Sequence, residues 1–197
     1  MTAHAVTVRG RWLLFSVPCV VGLACLATLL LVAAPGRTGG AEPPGAAATV
    51  AGFVVPRDGA PRFGGPRGRE ADMTEVVMTH AQTGGAVGLI HQSIPPKGGP
   101  PAHTHRGEDE FFYIVSGEFT FRLGDRLVGA SAGSFVFVPR GEVHAFRNVG
   151  TTPGVLVAGI TPAGFEQFFV ERTGADADGL RALTKKFGME IVGPPLQ

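Results

Sequence analysis

From residue 50 onward, short apolar runs recur between turns rich in glycine and proline. They fall at 50–55 (VAGFVV), 74–79 (TEVVMT), 86–94 (AVGLIHQSI), 111–115 (FFYIV), 118–123 (EFTFRL), 135–138 (FVFV), 143–148 (VHAFRN) and 155–160 (VLVAGI). Each is the length of one strand, and the spacing predicts an all-β sandwich or barrel rather than alternating strands and helices. In 118–123, Phe119, Phe121 and Leu123 share one face while Glu118, Thr120 and Arg122 share the other, the period of a half-buried strand. Ser116-Gly117 and Gly124-Asp125 supply the turns on either side of it.

Past residue 160 the period changes. Thr161-Pro162 predicts a helix N-cap followed by proline in the first turn, and Phe165, Phe168 and Phe169 then recur at i, i+3 and i+4, with Gly174 as a stop. A second helix is predicted over 178–187, with Leu180, Leu183 and Phe187 on one stripe and Gly188 as C-cap. The phenylalanine stripe either packs a helix onto the barrel or roofs a ligand.

The N-terminal part carries a different pattern. Residues 12–34 form an uncharged apolar run preceded by Arg9 and Arg11, and no acidic residue occurs before Glu42. As a helix the run would measure about 34 Å, enough to cross a hydrocarbon core of about 30 Å. The organisation expected is a short cytoplasmic N-terminus at 1–11, a transmembrane anchor or cleaved signal peptide at 12–34, a flexible linker at 35–49 and one domain at 50–197. The flanking arginines place that domain outside the cytoplasm, membrane-anchored or else secreted after cleavage. Both cysteines, Cys19 and Cys25, lie within the apolar run, so the domain is expected to stand on its core without disulfides. A net charge of +1 with no basic block argues against a nucleic-acid partner.

Candidate chemistry concentrates in the stretch 103–110, HTHRGEDE. On a strand, His103 and His105 point the same way. Glu110 lies at an odd offset and joins them only if residues 106–109 turn the chain between two strands. His144 opens the run after the Pro139–Gly141 turn. Three neutral imidazoles and one carboxylate are a ligand set for one divalent first-row transition metal (Fe, Mn, Ni, Cu or Zn), and the lack of sulfur argues against a structural zinc knot. Phe112 and Ile114 share the face of Glu110, and Phe146 that of His144, so these residues are expected to wall a small-molecule cavity. His91 is a further candidate for holding a substrate oxygen. Glu108 and Asp109 are either a solvated turn or include an acceptor for a ligand imidazole N–H.

Two patterns here resemble the cupin superfamily. Its first motif, G-x5-H-x-H-x3–4-E-x6-G, is matched by His103, His105, Glu110 and Gly117; the leading glycine is displaced by one, with Lys97 in the expected place and Gly98 after it. Its second, G-x5-P-x-G-x2-H-x3-N, is matched by Gly133, Pro139, Gly141, His144 and Asn148. Over residues 50–197 the chain is similar to single-domain bacterial cupins of the quercetin-dioxygenase-like type. The resemblance implies a jelly-roll barrel with a short C-terminal helical extension, one metal on His103, His105, Glu110 and His144, and a homodimer. By analogy with that type, dioxygenase activity on a phenolic or enolic substrate is expected, and under that hypothesis Glu110 is the catalytic acceptor of the substrate hydroxyl proton. A metal-dependent isomerase or lyase, and a non-enzymatic protein that binds a small ligand or a metal, are the alternatives.

Overall fold

The computed structural model describes residues 50–65 and 73–197; the apolar run 12–34 and the linker 35–49 lie outside the described residues. The chain begins with β1 (Arg62–Phe63), β2 (Thr74–Met78) and a capped helical turn, α1 (His80–Thr83). There follow β3 (Gly88–Ile94), β4 (Pro101–His105), β5 (Asp109–Ser116), β6 (Glu118–Leu123), β7 (Arg126–Ser131), β8 (Phe135–Val138), β9 (His144–Asn148) and β10 (Gly154–Thr161). Helices α2 (Glu166–Glu171) and α3 (Ala177–Lys186) lead to the closing strand β11 (Met189–Pro195).

The strands form two antiparallel sheets, ordered β1-β2-β3-β10-β5-β8 and β11-β4-β9-β6-β7. From β3 to β6 each strand crosses to the other sheet, β7 stays beside β6, and the crossings resume through β8, β9 and β10. That winding is the expected jelly roll, an all-β barrel with a short helical extension. Its interior is filled by the inward half of each alternating strand: Ile90, Phe112, Ile114, Phe119, Phe121, Phe146, Leu156 and Ile160 are all buried. Each such side chain stabilises the fold by roughly 1.5–3 kcal/mol, whereas an exposed ion pair such as Arg62–Glu75 contributes at most about 1 kcal/mol. The apolar interior, not surface charge, therefore holds the barrel.

Several elements differ from the sequence expectations. Residues 50–55 make no strand. Strands β4, β7 and β11 were not expected, because PAHTH, RLVGAS and MEIVGPP lack a clean apolar alternation. The two with the weakest pattern, β7 and β11, are the sheet edges, where one side of the backbone needs no partner and proline is tolerated. Thr161 is not a helix cap. It ends β10, paired opposite Asp109 of β5, and α2 starts five residues later, behind Phe165. Strand pairing outcompeted a local cap signal. The second helix lies at Ala177–Lys186, one residue from its expected bounds, with Asp176 Oδ1 accepting from the Gly179 N–H at 2.8 Å.

Candidate metal centre

His103 and His105 leave β4 on the same face, as a strand of period two requires. Residues 106–108 turn the chain into the opposite sheet, so Glu110 enters from β5 and faces them across the barrel. His144 stands directly opposite His103 in the β4–β9 pair. The ring centroids of His103 and His144 are 4.2 Å apart, and those of His105 and His144 are 5.5 Å apart. One ligand atom from each of His103, His105, Glu110 and His144 lies within 4.8 Å of the others, and all four side chains are buried.

The turn before β9 sets this geometry. Gly133 and Gly141, bracketing β8, hold φ values of 89° and 84°, in the region that favours glycine. The Gly141 N–H donates to the His105 carbonyl at 2.7 Å. Asp109 accepts from the Arg140 N–H at 2.8 Å and from its guanidinium at 3.0 and 2.9 Å. The turn carrying His144 is thereby tied to both strands that carry the other ligands. The Asp109 half of the acidic turn is thus neither a ligand nor merely solvated. Arg140 holds its carboxyl at about 2, below the usual range, first through the side-chain hydrogen bond.

The hydrogen bonds assign the imidazole tautomers. His103 Nδ1 lies 2.8 Å from the Pro101 carbonyl and His144 Nδ1 lies 3.1 Å from the Glu142 carbonyl. A carbonyl only accepts, so both rings carry a proton on Nδ1 and turn Nε2 inward. His144 Nε2 lies 2.8 Å from Glu110 Oε2, a buried hydrogen bond that favours the protonated ring. Burial alone would lower its pKa, but the Glu110 hydrogen bond and charge reverse the direction and raise it. His103 is pushed down to about 3, chiefly by burial and then by His144. His105 is also lowered, by burial first. For Glu110, burial works upward, yet the His144 hydrogen bond and the three imidazoles together bring it down to about 2. An anionic oxygen beside nitrogen lone pairs is what a dication requires. His105 supplies the independent sign: both of its ring nitrogens are buried without any hydrogen-bond partner, a costly state that coordination would relieve. The four residues fit a transition metal.

His103 and Glu110 open onto a cavity of about 290 Å³. Ile90, Phe112, Phe146 and Ala158 wall it from the barrel, and Phe165, Phe168 and Phe169 cover it. The phenylalanine stripe thus both packs against the barrel and roofs the cavity. Phe165 meets His105 edge-on, with centroids 4.3 Å apart. Of the expected wall residues, Phe112 and Phe146 line the cavity; Ile114 is fully buried in the core but does not line it. His91 is placed elsewhere. It lies on the outer face of β3, 36% exposed, with Nδ1 3.1 Å from Glu75 Oε2, because the buried parity of that strand is Ile90, Gln92 and Ile94. Gln92 is the cavity residue that the same parity pointed to, and sequence reading passed over it. Its amide donates to Thr74 Oγ1 at 3.0 Å, which also accepts from Arg172 at 3.1 Å. Arg172 lines the cavity as well, and no motif marked it.

A family profile described as a cupin domain matches residues 90–159. The chain is 31% identical over 83 residues to the oxalate-binding protein of Thermotoga maritima, covering 42% of this chain and 69% of that one. It is 26% identical over 98 residues to the tetracenomycin polyketide synthase protein TcmJ of Streptomyces glaucescens, covering 49% and 66%. Among solved structures, the nucleoside dehydratase Pac13 superposes with a TM-score of 0.50 at 15% identity, over 74% of this chain and 95% of that one. The last likeness concerns the fold alone.

Proposed function

The chain belongs to the cupin superfamily, and from that premise we propose that it binds one divalent transition metal and acts as a small-molecule dioxygenase on a phenolic or enolic substrate. The observation that carries this reading is the joining of a buried three-histidine, one-carboxylate cluster to an aromatic cavity. His103, His105, Glu110 and His144 would hold the metal, whose chemistry is Lewis-acid polarisation of a substrate oxygen and electron exchange with dioxygen.

The protein's own residues do the rest. Phe112, Phe146 and the α2 phenylalanines exclude water and orient a flat ring against the His103–Glu110 side. Glu110 is the acceptor for the substrate hydroxyl proton. Beside a dication, its carboxylate would be a weak base. The transfer therefore suits an acidic hydroxyl, that of a phenol or enol, and not an aliphatic alcohol. The cavity volume sits at the lower end of small-molecule sites, which favours one small or bicyclic aromatic ligand over a large glycoside.

The test is metal analysis of the purified full chain, with oxygen consumption measured against a panel of phenols, flavonols and diketones. Oxygen uptake by the wild type that His105→Ala abolishes supports the proposal. Turnover without oxygen would favour an isomerase or lyase instead. A second reading, ligand binding without chemistry, draws on the relative named for binding oxalate. Saturable binding of a small ligand with no turnover under any metal would select it.

A further inference from the structure

We propose that Glu108 is a positioning residue for the site, the hydrogen-bond acceptor that fixes His105 with Nδ1–H outward and Nε2 toward the metal; this rests on the metal-binding reading above. Two of the three imidazoles are oriented by backbone carbonyls, His103 by Pro101 and His144 by Glu142. His105 has no such carbonyl. Its ring lies instead between two carboxylates, with Nε2 3.6 Å from Glu110 Oε2 and Nδ1 4.0 Å from Glu108 Oε2. His105 Nδ1 and Glu108 Oε2 are both buried, and neither has a hydrogen-bond partner. The two unpartnered atoms face each other 4.0 Å apart, and closing that gap is the side-chain adjustment the proposal requires.

The local sequence explains why a side chain takes this part. The carbonyls that serve His103 and His144 lie two residues before them; for His105 that residue is His103, which is paired within the sheet to both β9 and β11. The turn 106–108 then brings Glu108 back over the ring at three residues' separation. Asp109 cannot substitute, because Arg140 occupies both of its oxygens. A ligand imidazole whose outer N–H has an acceptor is held in one tautomer and is a better donor to the metal.

Two measurements on the full chain test this. The first is affinity for Co²⁺ and Zn²⁺ by competition with a chromogenic chelator. Glu108→Ala is expected to weaken binding about 10–100-fold. Glu108→Gln keeps an acceptor oxygen and is expected to stay within about threefold of wild type, a rescue that a charge effect alone would not give. Equal losses in both variants, or no loss in Glu108→Ala, would overturn the proposal. The second needs neither variant nor metal: ¹⁵N-resolved NMR of the metal-free wild type should find the His105 proton on Nδ1. A proton resident on Nε2 would refute the pairing. A wild type that binds no metal would fail the functional reading, while the tautomer measurement would still decide on Glu108.

Discussion

At the scale of single residues, the site is a balance between burial and one short hydrogen bond. The unfolded chain takes up protons on His103 and His105 near pH 6.5, whereas the folded metal-free chain resists doing so, at His103 down to about 3. Folding stability therefore falls as pH drops through that window. Glu110 acts in the same direction: its contribution is present above 4.5 and is lost as pH falls toward about 2. His144 works on the other side. Its raised pKa gives a contribution present below 6.5 that disappears as pH rises through the folded value. Metal-free stability should peak near neutrality and fall more steeply in acid, where three groups act together. Urea midpoints measured with a chelator present will show this; a flat profile between pH 6.5 and 4 would contradict it. Lys97 offers a separate test. It occupies the place of the family's leading glycine and holds φ at 64°, tied to Asn148 by its N–H at 2.9 Å. Left-handed backbone costs an L residue about 1–2 kcal/mol, and glycine's extra chain entropy costs about 0.5–1 kcal/mol. Lys97→Gly is expected to stabilise the fold by about 0.5–1 kcal/mol in chemical denaturation.

At the scale of elements, the candidate metal site exists because three strands of two sheets, β4, β5 and β9, meet there. Asn148, at the end of β9, keeps that strand in register. Its amide donates to the carbonyls of Ile94 at 2.8 Å and Thr152 at 2.9 Å, and its oxygen accepts from the Gly150 N–H at 2.9 Å. The side chain is fully buried, so Asn148→Ala leaves several polar groups without partners, at about 1–3 kcal/mol for each one not rehydrated. A loss of about 2–4 kcal/mol is expected, together with weaker metal binding, since His144 rides on the same strand. A variant with wild-type thermal stability would show that the turn holds itself. The roof helix α2 depends on tertiary packing in the same way. At six residues, with no side-chain cap, it is too short to persist alone. Phe165, Phe168 and Phe169 hold it by burial against the barrel.

For the whole molecule, a metal that binds only the folded chain adds stability by mass action. At a free concentration of 100 times Kd the gain is about 2.7 kcal/mol, which for a domain of this size raises Tm by about 5–10 °C. Chelation should lower Tm by that amount in the wild type and leave His105→Ala unchanged, as read by differential scanning fluorimetry. Among the described residues no helix is long and apolar enough to cross a membrane, and residues 12–34 lie outside them. If that run anchors the chain, the full-length protein stays with membranes through an alkaline carbonate wash, and cleavage within 35–49 releases the domain. Recovery of intact full-length chain in the wash would exclude the anchor.

The barrel and its ligands could be read from the chain because each rests on a local rule. Period-two alternation marked β6, apolar runs between turns marked β5 and β8, and i, i+2 spacing placed His103 and His105 on one face. Glycines at 133 and 141 marked the turns before and after β8. What the sequence could not decide was anything fixed by partners distant along the chain. The weakly patterned edge strands β7 and β11 form because neighbouring strands pair with them. Thr161 stays in β10 because Asp109 lies opposite it, and His91 faces outward because the buried parity of β3 belongs to Ile90 and Gln92. The separate fates of Glu108 and Asp109 were likewise hidden. They are adjacent and chemically alike, and only the turn carrying Arg140 draws one outward and leaves the other against the His105 ring.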